Sequence, residues 1–183
     1  MECKEEKENQ LSFVLVASAE QIEAVAALAT EIWHEHFATI LTLEQINYMV
    51  EKFQSVLAMT DQIKNLGYQY YSIMLNGIII GYCGIKEEEE AKSLFLSKLY
   101  IHKKYRGHGY ASLAFSFLLE RCKEKGYHKI WLTVNRFNEN VIRIYEKKRF
   151  VKVRTQVADI GAGFVMDDYI MENHPLTNVV TVI

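Results

Sequence analysis

The spacing of apolar residues along the chain changes period several times, and each change marks an element. From Ser12 to Ala17, Phe13, Leu15 and Ala17 alternate with Val14 and Val16, the two-residue period of a short strand. Ser18 follows as a helix cap, because its hydroxyl can satisfy free N–H groups of the first turn. Beyond it Ile22, Val25, Ala26, Ala29 and Trp33 fall at i, i+3, i+4, i+7 and i+11, one buried stripe of a long helix. Two further helical stretches are expected. One starts at Thr39 or Thr42 and turns Ile46, Met49, Val50 and Phe53 inward; a short one starts at Thr60 or Asp61 and ends at Gly67. Tyr68 to Leu75 and Gly77 to Ile85 then read as strands around Asn76-Gly77, a pair that accepts the positive φ angles of a tight hairpin.

The run Glu87 to Glu90 reads as a solvated turn, and Leu94 to His102 as a third strand. Gly109 to Lys125 places Tyr110, Leu113, Ala114, Phe117 and Leu118 on one helical face, with Gly126 as its C-cap. Lys129 to Asn135 is a strand and Asn138 to Lys148 a helix burying Val141, Ile144 and Tyr145. Phe150 to Val157 and Phe164 to Glu172 are two last strands joined by Gly161-Ala162-Gly163. The order is that of a mixed α/β fold, and Leu94 to Asn135 is long enough for a parallel strand–helix–strand crossover. One domain is expected over residues 11–173, between a flexible tail at 1–10 and a second tail at 174–183.

Composition narrows the function classes. Half of the 183 residues are apolar and 12% are aromatic, enough for a sizeable core and too much for a disordered chain. A formal net charge of -2 lacks the basic excess of a nucleic-acid binder. No stretch approaches the roughly 18 consecutive apolar residues of a membrane span, and the charged start Met1 to Glu8 lacks the apolar core of a signal peptide. Cys3, Cys83 and Cys122 form no CxxC pair, so neither a disulfide framework nor a structural zinc site is expected and a reducing cytoplasm fits. Cys83 and Cys122 read as small buried residues, not nucleophiles. In Trp33-His34-Glu35-His36-Phe37 the HExxH spacing is missing, and two histidines two apart on a helix point about 200° away from each other, so no metal is expected.

The densest chemical signal runs from Leu99 to Ala111: Leu-Tyr-Ile-His-Lys-Lys-Tyr-Arg-Gly-His-Gly-Tyr-Ala. A strand enters a short loop with two glycines and passes directly into a helix. Glycines let backbone amides approach a ligand, the helix start adds unpaired N–H groups with partial positive charge, and Arg106 adds a cation. Such a corner binds phosphate. A Walker loop would need Gly-Lys-Ser/Thr after the second glycine, where Tyr110-Ala111-Ser112 stands instead, and a dinucleotide fingerprint would need a third glycine. Both nucleotide readings fail on these residues.

Arg106-Gly107-His108-Gly109-Tyr110-Ala111 resembles the (Gln/Arg)-x-x-Gly-x-(Gly/Ala) signature of the GNAT N-acetyltransferases. Asn138 to Phe150 resembles the Asn-x-x-(Ala)-x-x-x-Tyr-x-x-x-Gly-Phe helix of the same family, with the strand Ile130 to Val134 in place before it. The resemblance covers roughly residues 11 to 172. It implies the acyl-CoA N-acyltransferase fold, a central mixed twisted sheet flanked by helices, and acetyl-CoA as acetyl donor. Arg149 stands where the family has glycine before Phe150, which strains the helix exit by about 1 kcal/mol or is absorbed by a different turn.

By this resemblance the backbone of Leu99, Tyr100 and Ile101 bonds the pantetheine arm, and the amides of Arg106, Gly107, His108, Gly109, Tyr110 and Ala111 wrap the pyrophosphate. Asn138 contacts the cofactor arm, and Tyr145 contacts the cofactor as general acid toward the departing thiolate. Trp33, Glu35 and Phe37 are candidate acceptor contacts. The base is open: many relatives carry a glutamate on the strand before the loop, where Phe95-Leu96-Ser97-Lys98-Leu99 has none. Ordered water, Glu31, Glu35, Asp167 and Asp168 are the alternatives. The implied acceptor is a small-molecule primary amine. The stretch Ile130 to Phe150 is similar to bacterial polyamine acetyltransferases, so spermidine-like polyamines come first, with protein N-termini, amino acids and aminoglycosides open. A non-catalytic acyl-CoA-binding module is the competing class, against which Tyr145 counts. Exposed edges of the last hairpin would support a homodimer.

Overall fold

Ser18 and Gln21 lock the start of the first long helix. The Ser18 hydroxyl accepts from Gln21 N at 3.3 Å, and the Gln21 side chain accepts from Ser18 N at 3.0 Å. The computed structural model describes residues 10–175, so the tail residues 1–9 and 176–183, Cys3 among them, lie outside it. Its elements are β1 (Leu11–Leu15), α1 (Ala19–His36), α2 (Leu43–Gln54), α3 (Val56–Lys64), β2 (Tyr68–Leu75), β3 (Ile78–Glu88), β4 (Ser93–Ile101), α4 (Tyr110–Lys125), β5 (Lys129–Asn135), α5 (Glu139–Lys147), β6 (Val151–Gly161) and β7 (Phe164–Asn173).

The strands form one sheet in the order β1-β2-β3-β4-β5-β7-β6. Every neighbouring pair is antiparallel except β4 with β5, the pair joined by the crossover through α4. One face carries α4 and α5 over Leu94, Leu96, Ile130 and Leu132; the other carries α1 and α3 over Tyr70 and Tyr82. The α1 stripe expected from the spacing is buried throughout, Val25 and Ala29 completely. The helix α2 packs with Phe37 against Ile160, Phe164 and Met166 of the β6–β7 hairpin.

A bulge in β4 positions the site. Gly84 of β3 faces Lys98 while Ile85 faces Leu96, leaving Ser97 as the extra residue. The insertion reverses the alternation of side chains. Leu94 and Leu96 pack under α4, whereas Lys98 and Tyr100 turn to the α1–α3 face.

Several elements differ from the sequence reading. Ser55, not Thr60 or Asp61, starts α3, because one extended residue both ends α2 and caps the next helix through Ala58 N at 3.2 Å; Thr60 lies inside the helix and bonds Val56 O. Glu87 and Glu88 belong to β3 and are partly buried against partners: Arg121 Nε donates to Glu87 at 2.8 Å, and Trp131 Nε1 donates to Glu88 at 2.8 Å. The buried face of α4 is Ala114, Phe115, Leu118 and Cys122, with Leu113 half exposed, because Phe115, Leu118 and Cys122 share one packed cluster with Leu94, Ile130 and Leu132 of the sheet. In α5 the buried residue is Ile142 and Ile144 is exposed. The Asn76-Gly77 turn has both φ angles positive, as its sequence requires.

Candidate active site

β4 and β5 run side by side only where they begin. Their parallel register covers Ser93–Phe95 against Lys129–Trp131; beyond it the strands part. A cavity of about 970 Å³ fills the wedge between them and extends over the α1–α2 side of the sheet. One end is built from backbone and the other from side chains.

At the backbone end, Leu99, Tyr100 and Ile101 pair with Cys83, Tyr82 and Gly81 along one edge, so the groups directed to the other edge face the wedge. Gly107 and Gly109 both have φ +83, and nothing lies within 4 Å of where a Cβ would sit. Conformation, not crowding, therefore demands glycine here. Gly109 is the N-cap of α4 without any capping side chain, which leaves the first-turn N–H groups of Tyr110 and Ala111 available at the cavity wall. That end of α4 carries the positive pole of the helix and suits an anion.

Arg106 is placed differently from a free phosphate-binding cation. Its Nε donates to Ile101 O at 2.8 Å, and Nη1 and Nη2 donate to the Glu35 carboxylate at 3.3 and 2.7 Å. The fork ties the loop to α1, so the loop's amides, rather than this guanidinium, present the free donors. His108 turns away from the cavity lining, its ring 5.9 Å from that of Tyr110.

Across the wedge, Asn138 stands at the N-cap position of α5 without a side-chain cap bond and is buried; its Nδ2 donates to His36 Nε2 at 3.1 Å. Burial, followed by the nearby Arg106 charge, pushes the His36 imidazole pKa down and keeps the ring neutral. His34 is engaged separately, with Thr30 O and Asn47. Tyr145 projects from α5 into the same cavity, and burial pushes its phenol up to about 12, so the hydroxyl keeps its proton and serves as a donor.

The side-chain end is aromatic and largely apolar. Trp33 and Phe37 pack on Tyr100 with ring centroids at 5.9 and 6.4 Å. Asp168 of β7 is the single carboxylate among the described residues lining the cavity. It is 6% exposed, its Oδ1 has no hydrogen-bond partner, and burial, then the neighbouring Asp167, raises it to about 6. Tyr100 feels both Tyr145 and Asp168, and together with burial they push its phenol well above its ordinary value. The other candidate bases are engaged outside the lining: Glu31 accepts from His102 Nε2 at 2.8 Å, Glu35 from Arg106, and Asp167 from Arg136 at 2.8 Å.

Sequence reasoning missed one lining residue of consequence. Lys98, a lone cation in the apolar strand Leu94 to Ile101, faces the cavity at 7% exposure with Gln62 of α3 as its closest partner, 3.0 Å away. Its position in an otherwise apolar run was the available signal; the bulge that turns it inward left none.

This combination of a splayed β4–β5 pair, a glycine corner at the start of the crossover helix and a tyrosine on the next helix defines an acyl-transfer fold. A model of the acetyltransferase (GNAT) family matches residues 22–150. The chain belongs to that family and is a GNAT-type N-acetyltransferase. An uncharacterized N-acetyltransferase of Lactobacillus delbrueckii subsp. lactis is 21% identical over 154 residues, 81% of this chain and 89% of that protein. Among solved structures, the PaiA N-acetyltransferase of Thermoplasma acidophilum in complex with coenzyme A superposes with a TM-score of 0.69 at 22% identity, covering 89% of this chain and 99% of that one. The dodecameric spermidine N-acetyltransferase of Vibrio cholerae gives 0.66 at 16% identity, over 95% and 99%. Among the described residues no helix is long and apolar enough to cross a membrane.

Proposed function

We propose that the protein transfers an acetyl group from acetyl-CoA to a primary amine by direct attack in a ternary complex. One observation carries this reading: a single cavity joins the glycine corner, Tyr145 and the buried, unpartnered Asp168. The residues suit the donor. The amides of Gly107 to Ala111 offer an uncapped helix start to a pyrophosphate, and the open edge of Leu99–Ile101 offers strand-like bonds to the amides of a pantetheine arm. Asn138 stands on the wall along which that arm would run. Bound acetyl-CoA supplies the activated acetyl thioester.

Asp168 is the base in this scheme. An alkylammonium near pKa 10 gives its first proton to a carboxylate near 6 only in a small fraction of complexes, but the neutral amine so formed has the lone pair that attacks, and the tetrahedral nitrogen, now a far stronger acid, gives up its second proton toward the leaving sulfur. The buried carboxylate holds the first proton through the attack and returns it to solvent afterwards. Tyr145 acts at the other side, donating a hydrogen bond to the sulfur as it gains charge. Neither role suits a non-catalytic acyl-CoA-binding module. Spermidine acetyltransferases among the fold neighbours place polyamines on the panel of primary amines to be tested, and an edge strand β6 whose outer residues are exposed supports a homodimer.

The test is thiol release from acetyl-CoA against a panel of primary amines, with wild type and Tyr145→Phe. Amine-dependent release that slows in the variant supports the transferase. Calorimetric CoA binding with no release on any amine would favour the binding module, and no CoA binding at all would remove the donor assignment.

A further inference from the structure

A buried ammonium needs a countercharge or a reason to be neutral. Lys98 has no carboxylate partner among the described residues. Its Nζ donates to Gln62 Oε1 at 3.0 Å, reaches Ser97 Oγ only at 3.4 Å, and lies over the rings of Tyr68 and Tyr70 at 5.5 and 5.1 Å from their centroids. The glutamine is itself fixed, since its Oε1 also accepts from Tyr70 OH and its Nε2 donates to Phe53 O. The amine is thus held in place by neutral groups on a wall of the cavity. Burial lowers its pKa to about 7, so the proton is held weakly until an anion arrives.

We propose that Lys98 is the anion-recognising residue of the acceptor pocket, and that the acceptor is a primary amine carrying a carboxylate. The inference rests on the transferase reading and deepens it. Charge matching gives the class: one lysine balances the single charge of a carboxylate, whereas a phosphate brings nearly two. Asp168 and Lys98 then stand as complementary ends of one pocket, the anion for the reacting ammonium and the cation for the remote carboxylate. Lys98 is one strand step, roughly 7 Å, from Tyr100, which is within the influence of Asp168. The apolar Trp33, Phe37 and Phe53 around them suit a hydrocarbon spacer or side chain. A polycation would instead put a second positive charge against Lys98.

The experiment compares matched pairs: α-amino acids and ω-amino acids of increasing length, each against its own carboxamide, with putrescine and spermidine alongside. Wild type is expected to favour the acid of the best pair by about 10-fold or more in kcat/KM, chiefly through KM, and Lys98→Met to bring the ratio to about one. Calorimetry of the same acids and amides on the protein–CoA complex reads the contrast without turnover. Equal handling of acid and amide, preference for spermidine, or a ratio that survives Lys98→Met would overturn the proposal. Release on amides and polyamines without acid preference defeats this inference alone; absence of release on every amine with acid-selective, Lys98-dependent binding leaves it standing and removes the transferase reading.

Discussion

The two ends of the cavity are built on opposite principles. The corner from Leu99 to Ala111 is contiguous in sequence and works through backbone: an open strand edge, two left-handed glycines and an uncapped helix start. The acceptor end draws on residues as far apart as Trp33, Gln62, Lys98 and Asp168, and works through side chains. Asp168 and Lys98 pay for their position. Burial raises Asp168 to about 6 and lowers Lys98 to about 7, so each is held where its charge is disfavoured. A backbone site can be specified by local conformation, whereas a side-chain site stores its chemistry in destabilised groups.

Substitutions at the two ends should therefore separate activity from stability. Asp168→Asn is expected to lower kcat about 10²–10⁴-fold while raising stability at pH 8. In the fold the carboxyl titrates near 6, against 3.8 for the ordinary group, so ionising it destabilises the native state increasingly from pH 4 to 6 and fully above; the gain should shrink as pH falls through that window. Denaturant melts at several pH values check it.

Lys98→Met should stabilise by roughly 2–4 kcal/mol at pH 6. The unfolded amine keeps its proton to about 10.5 and the folded one loses it near 7, so the penalty is complete below pH 7 and fades toward 10.5. A stability gain equal at pH 6 and pH 10 would contradict the burial argument. Tyr145→Phe removes one hydrogen bond to a developing anion, about 1.5–3 kcal/mol, or about 10- to 150-fold in kcat; unchanged single-turnover rates would exclude the role.

At the backbone end the effects are smaller and fall on the donor. Gly109→Ala forces a side chain into left-handed space at a cost of about 1–2 kcal/mol, and should raise KM for acetyl-CoA by about 10-fold with little change for the amine. Outside both ends, Arg149 closes α5 with φ 66, the strained one of the two exits its sequence allowed. Arg149→Gly should stabilise by about 1 kcal/mol, a rise of about 2–4 °C in Tm.

The same division explains what could be read from the chain. The strand–loop–helix corner, Tyr145 on α5 and the hairpin at Asn76-Gly77 were legible because each is encoded by neighbouring residues. Arg106 was expected as a free cation in the loop: that Glu35 takes up its fork depends on α1 lying over the loop, which no local pattern encodes. Asp168 stood in the sequence as one of several carboxylates, and only the pairing of Glu31, Glu35 and Asp167 elsewhere singles it out. The Glu87–Glu88 pair looked solvated because its partners, Arg121 and Trp131, arrive from α4 and β5. Lys98 was hidden by one bulge residue, Ser97, which turns its side chain onto the opposite face of the sheet.

The central claim is that a buried, unpaired carboxylate serves the amine in the cavity that the glycine corner opens. The direct measurement is kcat against pH at saturating amine and acetyl-CoA, for wild type and Asp168→Asn. The account predicts a wild-type rate that climbs through an apparent pKa near 6, a limb missing from the slow residual rate of the variant. A wild-type rate flat from pH 5 to 7.5, or the same limb persisting in Asp168→Asn, would contradict it.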